Sequence, residues 1–598
     1  MKRDQIHLFD MAALETPLAD RVNLALSTIQ ALFEDNVPVC VAFSGGKDST
    51  VCADLTLRAA INAAQTPDVK PWVIVTTSDT LVENPEITQH YRKELQLMKA
   101  FGKLHKLRVT TRVATPSLLS TWQMKTLSGR GLPSFAGLNT DCSQDLKVKP
   151  QAVLRREIFK DIEDAGHKQA VTVLGTRHEE STKRALNMKI RGENATVPVP
   201  NKDGDLILSP ICNWETDDIF EYLGTRNDGL SYSDFKETLR IYAHSEGTSC
   251  AVVAASIEEG GTKRKKGGCG TRTGCHVCQQ SNDKSLENLI EFDRRYEYAR
   301  GLNRLNKFIR NTRYDLSRRN WVGRRILGGY IAIAPDTYHP RMVREIFRYM
   351  IQLQFDEKIR AAAAGEFPKF ILFTEEMVLA LDAYWSLTGL AHPFSAWLDL
   401  QEITSGKVRY DIPDVELVPP NTLPDPRFLF VGTEWDDSAS SSEFTGMRDA
   451  YTESLLEISA CRPALRTTEG GQIVWKTDEA PSFTIDGEGL FMFMDFELER
   501  KVEECRSGHG RAIPGAITSG YMWYLSYGLL SMSNAQAKIN DKMLRRTAHK
   551  DRLGMCVDYD IAELISKSIP FHAMPKEARE AWSHKATTSS AQADLELS

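Results

Sequence analysis

The sequence predicts an α/β fold, with a doubly wound parallel sheet occupying about its first 235 residues. Apolar, β-branched runs at 37–43, 71–77, 107–113 and 169–175 read as buried strands, and segments of helical spacing separate them. Polar and glycine-containing residues follow three of these strands directly, which is where open α/β sheets bind ligands.

Leu18, Val22, Leu26, Ile29 and Phe33 recur at helical spacing and predict a helix over 17–35 ahead of the first strand. That strand runs into Ser44-Gly45-Gly46-Lys47-Asp48-Ser49, after which Val51, Cys52 and Leu55 begin a second helical pattern. Two glycines let backbone N–H groups turn towards an anion without Cβ interference, and the helix N-terminus adds orphan donors and partial positive charge. The glycine spacing fits neither the Walker loop nor the dinucleotide fingerprint, yet the segment reads as a phosphate cradle. The strand at 71–77 ends in Ser78-Asp79-Thr80, followed by a predicted helix from Pro85 to about 100. The strand at 169–175 exits through Gly175-Thr176-Arg177-His178-Glu179-Glu180-Ser181-Thr182-Lys183-Arg184.

With 598 residues, 42% hydrophobic and 26% charged, the chain has the composition of an ordinary soluble protein of two to four domains. No apolar run approaches the roughly 18 residues of a membrane span, and the first residues lack the apolar core of a signal peptide. These features predict a cytoplasmic protein that does not engage a membrane. The net charge is −6, but residues 261–325 hold 17 Lys or Arg against 6 Asp or Glu. Such a stretch is either a footprint for a polyanion or a solvated, internally paired helical face.

Four segments are expected: a nucleotide-binding domain at 1–235, a Cys-rich and basic segment at 236–330, a helical region at 331–419 and a mixed C-terminal region at 420–598. Helices are predicted over 340–364 and 374–390. The prolines at 419, 420, 424 and 426 suggest a boundary, and β-like runs follow at 428–431 and 490–494. The tail from about 583 reads as disordered.

Eleven cysteines suggest metal or sulfur chemistry in a reducing compartment. Cys250, Cys269, Cys275 and Cys278 can supply four thiolates to one metal centre, and zinc and an iron–sulfur cluster both suit them. His276 could take the place of one thiolate in a zinc site. Cys142 lies close in sequence to Lys147 and Lys149, a setting that favours a reactive thiolate, although a small side chain at a helix start would look the same. Cys40, Cys52, Cys212, Cys461, Cys505 and Cys556 read as packing.

Residues 44–49, the stretch Asp79-Thr80-Leu81-Val82-Glu83-Asn84-Pro85, Cys142 with Lys147 and Pro150, and Gly175 with Arg177, Glu180, Ser181 and Arg184 together resemble the phosphoadenosine-phosphosulfate-reductase-like branch of the ATP pyrophosphatases. With Gly274-Cys275-His276-Val277-Cys278 and Asp283-Lys284-Ser285 added, the chain is similar over about 35–390 to the DndC-like sulfurtransferases of DNA phosphorothioation. The resemblance implies an adenine nucleotide α-hydrolase-like fold, ATP and Mg2+ as cofactors, and a 4Fe-4S cluster on Cys250, Cys269, Cys275 and Cys278, with zinc as the alternative. It also implies a cysteine desulfurase and other Dnd-type proteins as partners in an antiviral defence or modification system, with DNA as substrate. Carried over by motif, Ser44, Gly45, Gly46, Lys47, Asp48 and Ser49 would hold pyrophosphate, with Asp48 ordering magnesium or phosphate. Asp79, Thr80, Gly175, Arg177, Glu180 and Arg184 would complete the nucleotide site, and Cys142 would handle sulfur. The chain departs from the pattern at Thr273, at His276, at Asp145 and in the length of the 269–275 loop.

The expected chemistry is adenylation of a substrate oxygen with pyrophosphate release, followed by sulfur attack that expels AMP. Lys47 and the loop N–H groups would neutralise the leaving pyrophosphate. Arg177 and Arg184 would clamp phosphates or pair with Glu179 and Glu180. The alternatives are thiolation of a tRNA base, a non-catalytic nucleotide-sensing or nucleic-acid-binding component with a structural zinc, and sulfonucleotide reduction.

Overall fold

Val39, Val41, Val73, Val75, Val171 and Val173 belong to one hydrophobic cluster, and Cys40, Trp72 and Ile74 to another. A two-residue period that sends alternate side chains to opposite faces of a sheet produces this division. In the computed structural model, which describes residues 17–132, 141–180, 182–202, 204–226, 229–245, 274–280, 282–436, 465–467, 473–475, 478–508 and 516–588, these strands form a six-stranded sheet. They are β1 (Val39–Ala42), β2 (Trp72–Ser78), β3 (Arg108–Ala114), β4 (Val171–Val173), β5 (Val199–Pro200) and β6 (Leu206–Leu208), in the order β3-β2-β1-β4-β6-β5. β1 pairs parallel with both β2 and β4. The chain therefore winds outwards from β1 to β3 on one side and from β4 on the other, and a crevice opens beyond the ends of β1 and β4.

The sheet is mostly rather than wholly parallel, because β5 runs antiparallel to β6. Only residues 201–205 join those two strands, too short a connection for the crossover that a parallel pair needs. Helices cover both faces. The helices Leu18–Glu34, Lys47–Ala63, Pro85–Leu104 and Thr216–Gly224 bury Ile29, Leu55, Met98 and Phe220 against the first cluster, and Lys149–Asp164 buries Leu154, Ile158 and Ile162 against the second. At about 25 cal/mol per Å2 of apolar surface, each such fully buried side chain contributes about 2 kcal/mol.

The chain divides into two units, one of Met1–Thr115, Lys147–His276 and Asn282–Asn303, the other of Pro116–Leu146, Val277–Ser281 and Arg304–Ser598. Residues 116–146, within the stretch 1–235, thus group with the second unit. That unit contains an antiparallel sheet of β7 (Val322–Leu327), β8 (Tyr330–Ile333), β9 (Arg427–Phe430) and Ile569–Pro570, with β8 between β7 and β9. β9 follows the prolines at 419–426 yet pairs with β8 from before them.

The helices Pro340–Ala364 and Glu375–Thr388 stand where their sequence patterns predict them, each ended by a left-handed glycine, Gly365 at φ 66° and Gly389 at φ 75°. The second is buried nearly all round and carries Asp382, whose oxygens accept the N–H groups of Phe394 and Ala396 at 2.8 Å and the Tyr524 hydroxyl at 2.9 Å. Phe394 is itself left-handed, at φ 64°, a conformation costing about 1 kcal/mol or more that these bonds hold in place.

Two expectations fail here. Residues 490–494 lie in a helix, Gly487–Phe496, rather than a strand. Asp486 caps it through the N–H of Gly489, and Leu490 and Phe493, three apart, turn inwards while Phe491, Met492 and Phe496 stay exposed. The last helix, Lys576–Thr588, also extends past the expected start of the disordered tail at about 583, while residues 589–598 of that tail lie outside the described residues.

Candidate nucleotide site

The phosphate loop leaves β1 at the crevice. Gly45 has φ 74°, and a Cβ there would lie 3.0 Å from Tyr91 Cβ, so the turn admits glycine alone without strain. Gly46 is the N-cap of the helix Lys47–Ala63 and offers no side-chain cap. The first N–H groups of that helix are left to other acceptors, the arrangement that binds anions. The loop is tied internally, with the Ser44 N–H donating to Ser49 Oγ at 3.1 Å and Ser49 Oγ donating to the Gly46 carbonyl at 2.9 Å.

Lys47 is buried, and its ammonium lies 3.1 Å from Asp48 Oδ2. The other oxygen, Oδ1, accepts from Arg177 Nε at 2.6 Å. Arg177 is only 1% exposed, and its remaining donors go to Glu179, to the Trp214 carbonyl and to Thr216 Oγ1 at 3.0, 3.2 and 3.3 Å. Glu179 is held in turn by the N–H and hydroxyl of Thr216. Glu180 accepts the Arg177 N–H at 3.2 Å and pairs with Arg184. Of the two roles that the sequence leaves open for the arginines, the geometry displays the ion pairs: Arg177 fixes Asp48, and Asp48 fixes Lys47. Gly175 permits this contact, because a Cβ there would lie 2.9 Å from the Asp48 carbonyl carbon and the Ser49 nitrogen.

Asp79, at the end of β2, accepts from the Tyr91 hydroxyl at 2.6 Å, Arg92 at 2.9 Å and the Leu81 N–H at 3.0 Å. Tyr91 thereby links Asp79 to the Gly45 turn. Around this corner the buried polar atoms Thr50 Oγ1, Thr77 Oγ1, Thr80 Oγ1 and His90 Nδ1 have no partner among the described residues. Burial pushes His90 down to about 4 and Cys40 and Cys212 up to about 12, with Cys52 raised still further. Those three thiols are protonated packing, as their apolar sequence settings suggest.

One participant was not legible as such. Tyr242, on the helix Lys236–Ser245, accepts the Lys47 N–H at 3.2 Å through its hydroxyl, and the Lys47 ammonium lies 5.2 Å from its ring centroid. A lone Tyr 195 residues from the loop carries no sequence signal. The only hint is its place at the end of a helical pattern.

The remaining predicted residues do not join this group. Cys142 belongs to the second unit, where it lines a cavity of about 10 Å3 with Ser120, Trp122, Leu146 and the ion-paired Lys125 and Asp145. Cys250 and Cys269 lie outside the described residues. Cys275 makes a β-bridge with Glu83, and the His276 N–H donates to the Val82 carbonyl at 3.2 Å. His276 is buried, which pushes it down to about 4, and neither ring nitrogen has a partner among the described residues. Cys275 and Cys278 are half-buried thiols, soft donors of the kind that zinc or an iron–sulfur cluster takes. No group of three or more potential ligands converges among the described residues. In the described part of the basic stretch, Arg295, Arg300, Arg318 and Arg324 are paired with Asp293, Glu297, Glu345 and Asp336. No helix among the described residues is long and apolar enough to cross a membrane.

A mostly parallel sheet with a glycine loop and a helix N-terminus at its switch point defines an α/β nucleotide-binding domain. More narrowly, residues 38–232 match the family model of the phosphoadenosine phosphosulfate reductase domain. Members of that family are enzymes acting on adenosine nucleotides. No curated protein matches the chain.

Proposed function

We propose that the chain is an ATP pyrophosphatase and sulfurtransferase that introduces sulfur into the phosphate backbone of DNA. The observation that carries this reading is the order Arg177, Asp48, Lys47 behind the loop, which sets an ammonium beside the uncapped N-terminus of the helix Lys47–Ala63 at the switch point. Pyrophosphate is the ligand that such a cradle suits. A DNA phosphate oxygen attacks the α-phosphorus of ATP, the bond to the bridging oxygen breaks, and pyrophosphate leaves with its added charge neutralised by the loop N–H groups and Lys47. Asp48 and Arg177 keep Lys47 in position, while Mg2+ enters with ATP. Cys142 is the proposed relay: loaded as a persulfide by a cysteine desulfurase partner, it attacks the activated phosphate through its outer sulfur and displaces AMP. A thiol reductant then attacks the inner sulfur, breaking the S–S bond to leave the phosphorothioate and a mixed disulfide on Cys142. Cys250, Cys269, Cys275 and Cys278 would hold a 4Fe-4S cluster or zinc, which when bound supplies thiolate-ligated metal chemistry.

The test is pyrophosphate release from ATP with duplex DNA, with tRNA and with neither, followed by mass spectrometry of nuclease-resistant dinucleotides when a desulfurase and cysteine are present. DNA-stimulated release and a dinucleotide heavier by the exchange of oxygen for sulfur are expected. Stimulation by tRNA alone would replace DNA with a tRNA base, and no release under any condition would leave a nucleotide-sensing component.

A further inference from the structure

The C-terminal half, for which the sequence suggests no role, contains buried positive charge that pairs with no carboxylate among the described residues. Lys550, on the helix Asn534–Arg552, is 7% exposed, and its ammonium makes no hydrogen bond or ion pair with a described residue. Arg546 lies one turn earlier on the same face. Its guanidinium stands 6.0 Å from the Trp435 ring centroid and likewise has no hydrogen-bonded partner among the described residues.

Most of their neighbours are engaged. Arg545 pairs with Asp436 and Asp541, and His549 Nε2 lies 2.7 Å from the Val431 carbonyl. On the edge strand β7, Arg324 forms a two-point pair with Asp336 at 2.7 and 3.1 Å, while Arg325 has no partner among the described residues. The register of β7 shifts between Val322 and Ile326, and such a bulge re-aims side chains. The cations sense one another: burial, then Arg324 and Arg325, push Arg546 down to about 10 against a smaller upward effect of Asp436, and burial pushes Lys550 down, with Cys556 opposing it by more than Arg546 adds to it.

A buried ammonium without a counter-ion is costly, more so beside a second cation. The C-terminal end of the helix eases that cost but supplies no oxyanion. We propose that Arg546 and Lys550, one turn apart on a single helix, form a binding site for a phosphate group, with Trp435 as its aromatic wall. A guanidinium fork and an ammonium point charge are the groups that recognise a tetrahedral oxyanion. The phosphate belongs either to a small phosphate compound or to a phosphodiester backbone. The site uses none of the residues of the phosphate loop and does not depend on the reaction assigned to that loop.

The full-length protein, Lys550→Met and Arg546→Gln are compared by thermal melting in chloride and in inorganic phosphate at equal ionic strength, and by anisotropy with a labelled 20-base-pair duplex. In chloride, Lys550→Met should melt no lower than the wild type, because it removes an unpaired buried charge. Phosphate should raise the wild-type midpoint, and each variant should lose most of that rise. At least tenfold weaker duplex binding in both variants identifies a backbone phosphate, whereas unchanged duplex binding with the phosphate response lost identifies a small phosphate compound. A lower midpoint for Lys550→Met in chloride, or an equal phosphate response in all three proteins, would overturn the proposal. Such a result would mean that the ammonium already has an anion within the chain, such as an acid of residues 437–464. Pyrophosphate release from ATP without nucleic acid should be the same in all three.

Discussion

Arg177 in the first unit and Lys550 in the second are both buried cations, 1% and 7% exposed, yet they stand in opposite surroundings. Arg177 has a carboxylate on Nε and two carboxylates, a carbonyl and a hydroxyl in its wider shell. Lys550 has none of these among the described residues. The difference separates two uses of buried charge. A fully coordinated cation is a structural part that positions something else, and here it positions Asp48. A cation that the described residues leave uncoordinated either gives up its proton or takes a partner from outside them. Conspicuous motif residues are therefore not the only candidates for ligand contact, and Arg177 is the less available of the two.

The largest expected effect tests the positioning chain itself. Asp48→Asn keeps the shape of the Arg177 contact but removes the charge that holds Lys47, and turnover of ATP to pyrophosphate should fall by about 10³-fold, near 4 kcal/mol of transition-state stabilisation. Circular dichroism should report an unchanged fold. Full turnover in this variant would remove Asp48 from the mechanism. Next comes Arg177→Met, which leaves Glu179 without its cation and Asp48 with Lys47 alone, and should destabilise the protein by about 3 kcal/mol in denaturant titrations. Lys550→Met should shift stability in the opposite direction or not at all. If both methionine variants lost stability equally, the distinction between coordinated and uncoordinated cations would collapse.

The same contrast governs what could be read in advance. The phosphate loop was legible because its residues are contiguous and its glycines have one steric meaning. The helix Pro340–Ala364 was legible because a proline opens it and a glycine closes it. Arg177 was legible as a site residue but not in its role, since its partner Asp48 lies 129 residues away. The second-unit cations left no trace in sequence: Arg546 and Lys550 at i,i+4 look like any solvated helix face, and Arg325, whose charge Arg546 senses, comes from a strand more than 200 residues earlier. The helix Gly487–Phe496 was misread because Phe-Met-Phe-Met has the composition of a strand, and only packing reveals which apolar residues turn inwards.

Asp54 represents a third class, a buried carboxylate with neutral partners. It lies on the same helix as Asp48, is 0% exposed, and accepts from Tyr222 at 2.6 Å and Ser231 at 2.9 Å. Loss of water outweighs these bonds and the nearby Arg58, and pushes its carboxyl up to about 6. The folded state therefore holds this proton more tightly than the unfolded chain, where the carboxyl titrates near 4. The contribution is complete below about pH 4 and is lost as pH rises through 6, a change of about 3 kcal/mol. His90, pushed down to about 4 by burial, acts in the reverse direction, since its contribution is lost as pH falls below about 6.5. Asp54→Asn keeps the two short hydrogen bonds and isolates the first effect: wild type minus variant, in denaturant midpoints from pH 4 to 7, should fall with pH. A flat difference would mean that a cation compensates Asp54 after all.

The smallest expected effect concerns the first unit's own anion site. There the Tyr242 hydroxyl rests on the Lys47 N–H at 3.2 Å, the donor that a pyrophosphate oxygen would take, so this cradle has a stand-in where the second unit's cations have none among the described residues. Tyr242→Phe leaves the N–H unpaired and removes the competitor, and one neutral hydrogen bond of about 1 kcal/mol corresponds to about fivefold in affinity. Inhibition by pyrophosphate should accordingly tighten by about fivefold, with a stability loss of similar size and little change in the rate at saturating ATP. Weaker inhibition would make the hydroxyl a ligand contact instead of a stand-in. The two anion sites would then differ in kind, one completed partly by its own fold and the other wholly by its ligand.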